Sequence, residues 1–137
     1  METITFDKDI KVFYITAKSF PDGVLEAHQK LHALIPFSTE RKYFGLSRPE
    51  NGGQIIYKAA AEELQPGEGE KLNCETLVLK TGNYLSVTIH DYMKDIPSIG
   101  KTFEKLTSQP DIDPQGYCVE WYISDKDLQC MIRLADK

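Results

Sequence analysis

The chain has 137 residues, 41% hydrophobic and 27% charged, which suits one globular domain with a single sizeable core. Its net charge of −5 comes with Lys and Arg scattered among acids, so the basic stripe of a nucleic-acid binder is missing. No run of about 18 apolar residues is present to span a bilayer.

The N-terminus, Met1 to Phe6, has neither a basic region nor an apolar core of the signal-peptide kind. Three cysteines (Cys74, Cys118 and Cys130) lack CxxC spacing, and an odd reduced set predicts a cytoplasmic protein. Cys118 and Cys130 are placed to face each other across a hairpin, but a cytosolic disulfide is not expected there.

Residues 1–10 read as a lead-in with an edge strand through Ile4 and Phe6, and the domain proper is assigned to 11–137. Residues 11–18 form a strand that places Phe13, Ile15 and Ala17 on one face and Val12, Tyr14 and Thr16 on the other. Pro21-Asp22-Gly23 opens a helix that Asp22 can cap, and Val24, Ala27, His28, Leu31, Leu34 and Ile35 recur at helical spacing before Pro36. Strands are predicted at 42–47 and 54–61, separated by the breaker-rich turn from Arg48 to Gly53. Ala59 to Leu64 has helical propensity as well, and the acidic stretch Glu62 to Glu70 reads as a solvated linker.

Residues 75–80 and 84–90 flank Thr81-Gly82-Asn83, a hairpin signal. A helix from about Asp95 carries Ile96, Ile99, Phe103 and Leu106 on its buried stripe and ends before Pro110. Two strands follow, Tyr117 to Ile123 and 128–134, joined by the turn Ser124 to Asp127. In the first of these, alternation puts Val119, Trp121 and Ile123 on an apolar face and Cys118, Glu120 and Tyr122 on the other. Glu120 is the only charge in that strand and sits between a thiol and a phenol, so it faces either solvent or a cavity.

Strand–helix–strand–strand therefore occurs twice, over about 11–64 and 75–134. Phe13, Ile15, Ala17, Lys18 and Phe20 align with Leu85, Val87, Ile89, His90 and Tyr92, a repeat of pattern rather than of residue identity. The expected fold is α+β: duplicated strand–helix–strand–strand units in one antiparallel sheet, two helices on one face, and a ligand cleft between the halves.

Three segments, Lys42 to Pro49, Ile56 to Ala60 and Gly116 to Tyr122, resemble the GyrI-like family, the effector-binding domain of bacterial multidrug-responsive regulators. The resemblance spans residues 10–134 and implies the same duplicated fold. It further implies binding of a hydrophobic, aromatic or cationic molecule beside a buried glutamate ringed by aromatics, and Glu120 matches that glutamate. A second acid common in the family falls at Cys130 here, a departure from a dication-selective pattern. About ten residues stand where regulators carry a DNA-binding domain, so a stand-alone form is expected, as a homodimer or with a separate DNA-binding partner. Some single-domain relatives are similar to hydrolases that open strained cyclopropane rings, and the founding member's name implies a protein inhibitor of an enzyme.

Tyr57, Tyr92 and Tyr122 are the preferred ligand-lining tyrosines, with Phe44, Trp121 and His28 as further candidates. Trp121 should point to the face opposite Glu120, and Phe44 is a similar case. Desolvation of Glu120 would favour a cation, and neighbouring rings would add attraction. Binding without turnover is the expected activity; in a hydrolase, Glu120 would orient or deprotonate water. His28 and His32 stand at i, i+4 but have no third ligand, so they read as helix histidines rather than a metal site. No metal or cofactor is implied.

Overall fold

The computed structural model of the chain describes residues 1–50 and 52–136; Asn51, in the predicted breaker-rich turn, and Lys137 lie outside the described residues. Eight strands, β1 (Glu2–Phe6), β2 (Ile10–Thr16), β3 (Tyr43–Glu50), β4 (Gln54–Glu62), β5 (Glu75–Leu79), β6 (Gly82–Ile89), β7 (Cys118–Tyr122) and β8 (Leu128–Arg133), form one sheet. Its order is β1-β6-β8-β7-β3-β4-β2-β5, with every pairing antiparallel. The helices are α1 (Val24–Leu34), the four-residue α2 (Glu68–Lys71) and α3 (Pro97–Thr107), the last preceded by a 3-10 turn at Tyr92–Lys94. The α+β architecture of two strand–helix–strand–strand units joined edge to edge is thus what the chain adopts.

The two faces of the sheet have different covers. One carries Val12, Phe44, Leu46, Ala60, Val119 and Met131 in a single cluster with Phe6 and Tyr84. Phe6 of β1 comes within 6.0 Å of the Trp121 ring of β7, although two strands separate them. Strands spaced about 4.8 Å apart allow that contact only if the sheet curls around this cluster. The outer face carries the helices: Ala27 and Leu31 of α1 bury Phe13, Ala59 and Ala61, while Leu106 of α3 buries Leu128, Cys130 and Ile132. Because α1 packs on β2 and β4 and α3 on β6 and β8, the seam strands β3 and β7 lie between them.

Three local expectations are corrected, and the open boundary after the strand at 54–61 is resolved as strand. Residues 75–80 and 84–90 do not form a hairpin: β5 pairs with β2 and β6 with β1, at opposite sides of the curled sheet. The Thr81-Gly82-Asn83 signal does mark a reversal, with Gly82 at φ 133°, but the turn redirects the chain across the open side of the curl. Asp22 does not cap α1; Gly23 occupies that position and no side chain bonds to the first turn. Ala59–Leu64 is not helical, since β4 runs through Glu62 and its alanines are buried in the sheet. The acidic stretch is no solvated linker either: Glu63 accepts from the backbone N–H of Gly67 and Gly69, and Glu68 holds Arg41 through two hydrogen bonds of 2.7 and 2.9 Å.

Candidate functional site

The β3–β7 seam is where the two halves exchange cross-strand partners. Gly45 faces Glu120 across it, and Glu120 in turn faces Cys130 of β8. With Phe13 matched to Leu85, the registers through β4 and β8 make Gly45 and Glu120 equivalent positions in the two halves. The pseudo-twofold axis therefore passes between a glycine and an acid, and one carboxylate serves both halves. A Cβ at position 45 would overlap the Tyr57 hydroxyl and Glu120 Oε1. The missing side chain is what leaves room for the cluster.

Tyr57 enters from β4 and Tyr122 from β7, on the helix-bearing side. Both hydroxyls donate to Glu120 Oε1, at 2.7 and 2.8 Å. His28 of α1 places Nε2 2.7 Å from the Tyr57 oxygen. Because the Tyr57 proton is committed to the carboxylate, that oxygen accepts from His28 Nε2–H, which fixes the tautomer. Phe20 stacks on Tyr57 at 6.0 Å from the first half, and Tyr92 meets Tyr122 edge-on at 5.8 Å from the second. Phe20 and Tyr92 are the last pair of the aligned repeat, so each half supplies one ring.

Burial raises the pKa of Glu120 above the ordinary carboxylate value, and the two tyrosine donors pull the other way. Burial also raises Tyr57 and Tyr122, reinforced by the adjacent carboxylate, so both stay protonated donors. His28 is pushed down to about 4, by burial first and by His32 second, and is neutral at pH 7. Cys130 is pushed up to about 12 and Cys118 is also raised, both chiefly by burial, so neither is a thiolate nucleophile.

Glu120 is crowded by protein atoms yet keeps partial exposure to solvent. Its Oε2 has no hydrogen-bond partner among the described residues and is not sealed from solvent. One oxygen is anchored and the other is free.

Of the residues singled out in the sequence, Glu120, Tyr57, Tyr122, Tyr92 and His28 come together here. Phe44 and Trp121 lie on the inner face, their rings 6.3 Å apart, and stay out of this cluster. Phe20 and Gly45 were not anticipated. The repeat alignment pairs Phe20 with Tyr92, a signal that could have found it; nothing local to Gly45 distinguishes it from a turn glycine. His32 packs against Tyr43 at 5.0 Å, and among the described residues no group of three or more metal-ligating side chains gathers. Cys118 faces Ile132 and Cys130 faces Glu120, so the two thiols sit diagonally and are free. Among the described residues no helix is long and apolar enough to cross a membrane.

No family model and no curated protein matches the chain. Solved structures do. An integron cassette protein from the mobile metagenome of Vibrio cholerae aligns at 12% identity and TM-score 0.73, over 97% of this chain and 94% of its own. A hydrolase from Listeria innocua aligns at 9% identity and TM-score 0.61, over 98% of this chain and 90% of its own. A Staphylococcus aureus MU50 protein assigned to bacterial transcription regulation aligns at 9% identity and TM-score 0.62, over 98% and 97%. At such identities the likeness is one of fold, and that fold is compatible with the GyrI-like architecture the sequence motifs resemble.

Proposed function

We propose that the chain binds a small hydrophobic cation with aromatic character in the recess above Glu120. The observation that carries this reading is the division of labour within the carboxylate. Oε1 is held by two tyrosine hydroxyls, while Oε2 has no hydrogen-bond partner among the described residues and is not sealed from solvent. A desolvated carboxylate is costly unless a positive charge offsets its burial. The Phe20 and Tyr92 rings would each add about 0.5–2 kcal/mol of cation–π attraction. Such a binder would serve effector or xenobiotic sensing linked to transcription, alone, as a homodimer or with a separate DNA-binding partner.

Titration calorimetry with benzyltrimethylammonium and with uncharged benzyl alcohol tests the charge pairing. The cation should bind more tightly to the wild type, and Glu120→Gln should erase the preference. Equal preference in both proteins would remove the acid from the account. A hydrolase reading is supported by the same free oxygen, which a water molecule could share with an electrophilic substrate. Product formation that is lost in Glu120→Gln, while ligand binding survives, would establish it over simple binding.

A further inference from the structure

We propose that the inner face of the sheet holds a second site, separate from the Glu120 recess, that takes a small aromatic monoanion of benzoate size. A hollow of about 160 Å³ lies at one open end of the curl. A cavity of about 150 Å³ lined by apolar groups is large enough for one benzene ring. The floor here is apolar: Leu79 comes from β5, Tyr84 from β6 and Val119 from β7, all buried in the inner cluster. Tyr117 completes the wall with its ring.

The rim has the opposite character. Arg48, Lys80 and Arg133 line the hollow against a single acid, Asp113, in a chain whose net charge is −5. Arg133 is already committed, to Asp113 at 3.2 Å, to Asp136 at 2.9 Å and to the Thr81 carbonyl. Asp113 is thereby used up as well. Arg48 is different. Its guanidinium lies 4.1 Å from the centre of the Tyr117 ring, its Nε donates to Glu50 and its Nη1 donates to the Gln115 carbonyl. Among the described residues nothing accepts from Nη2. Lys80 is exposed and makes no ion pair among the described residues. Arg48 is thus paired with Glu50 but keeps Nη2 unused, and that donor stands with the Lys80 ammonium over an apolar floor the size of one ring.

A guanidinium seated over an aromatic ring is fixed in place, and its unused N–H groups are the kind of donor that recognises a carboxylate. The ring of the ligand would rest on Leu79 and Val119 while its carboxylate meets Arg48 Nη2 and the Lys80 ammonium. Val119 and Glu120 are successive residues of β7 that point to opposite faces, so the two sites share a strand but no side chain.

Benzoate, acetate and benzyl alcohol, titrated at low salt and followed by amide chemical shifts, separate the contributions of charge and ring. The expected result is saturable binding of benzoate with shifts at Leu79, Tyr117 and Val119, and weaker binding of both controls. Lys80→Gln, an exposed position whose loss should not disturb folding, should weaken benzoate about three- to fivefold, as for a solvent-facing ion pair. Val78→Trp, at the exposed lip of the hollow, should block binding, while Glu120→Gln should leave it unchanged. Benzoate that binds no better than acetate, or whose binding is lost in Glu120→Gln and kept in Val78→Trp, would overturn the proposal. Failure here leaves the Glu120 reading untouched, because the cation titration reports on the other face.

Discussion

Removing water from a carboxylate favours its protonated form, and at Glu120 that effect exceeds the opposing pull of two tyrosine donors. The consequence for stability has a definite sign. A carboxyl whose folded pKa is raised contributes its full stability below its unfolded value, near 4.3, and loses it as pH rises through the folded value. Wild-type melting temperature should therefore carry a component that falls over this window. Glu120→Gln keeps an oxygen for both hydroxyls but cannot ionise, so its melting curve should lack that component and lie above the wild type at pH 8. Gly45 gives a steric prediction. Gly45→Ala should cost about 1–3 kcal/mol in urea unfolding, as overpacking does, and should weaken cation binding by forcing Tyr57 or Glu120 aside.

At the scale of elements, α2 is fastened by charge. The Arg41 side chain is only 6% exposed, and Glu68 meets it through both oxygens. Arg41 lowers the pKa of Glu68, so this pair's contribution is present above the unfolded value and disappears as pH falls through the lower folded one. Glu68→Ala should cost about 1–3 kcal/mol near neutrality, read by urea denaturation, since it strands a largely buried guanidinium that remains open to partial solvation. The acid count of residues 62–70 suggested solvent, because charge in a sequence does not reveal which carboxylate has a distant partner. The hairpin expectation at 75–90 failed for a related reason. Turn residues specify that the chain reverses, while the choice of partner strand is made by long-range pairing, which puts β5 beside β2 and β6 beside β1. Alternation was the more informative signal. It separated Val119 and Trp121 from Glu120 and Tyr122, and the structure keeps them on opposite faces.

For the molecule as a whole, each half borrows its outer strand from the chain preceding the other half, so neither unit of the repeat is completed by its own residues. Phe6 shows the consequence, lying 4.9 Å from Tyr84 and 6.0 Å from Trp121, both in the second half. Phe6→Ala should cost about 3 kcal/mol, the low end for loss of a buried ring, and should shift the emission of the single tryptophan to the red. The duplication itself was readable from two strand–helix–strand–strand patterns. The asymmetry on its axis was not, because glycine against glutamate at positions 45 and 120 acquires meaning only once the registers are known. That asymmetry is the basis of the functional reading: a single acid at the centre, with walls supplied equally by Phe20 and Tyr92.

The most direct test is a carboxyl-carbon NMR titration of Glu120, assigned by its loss in Glu120→Gln, with and without saturating benzyltrimethylammonium. The account predicts a midpoint above that of an ordinary glutamate in the free protein, displaced downward when the cation is bound. A midpoint in the ordinary range that does not respond to the cation would contradict it.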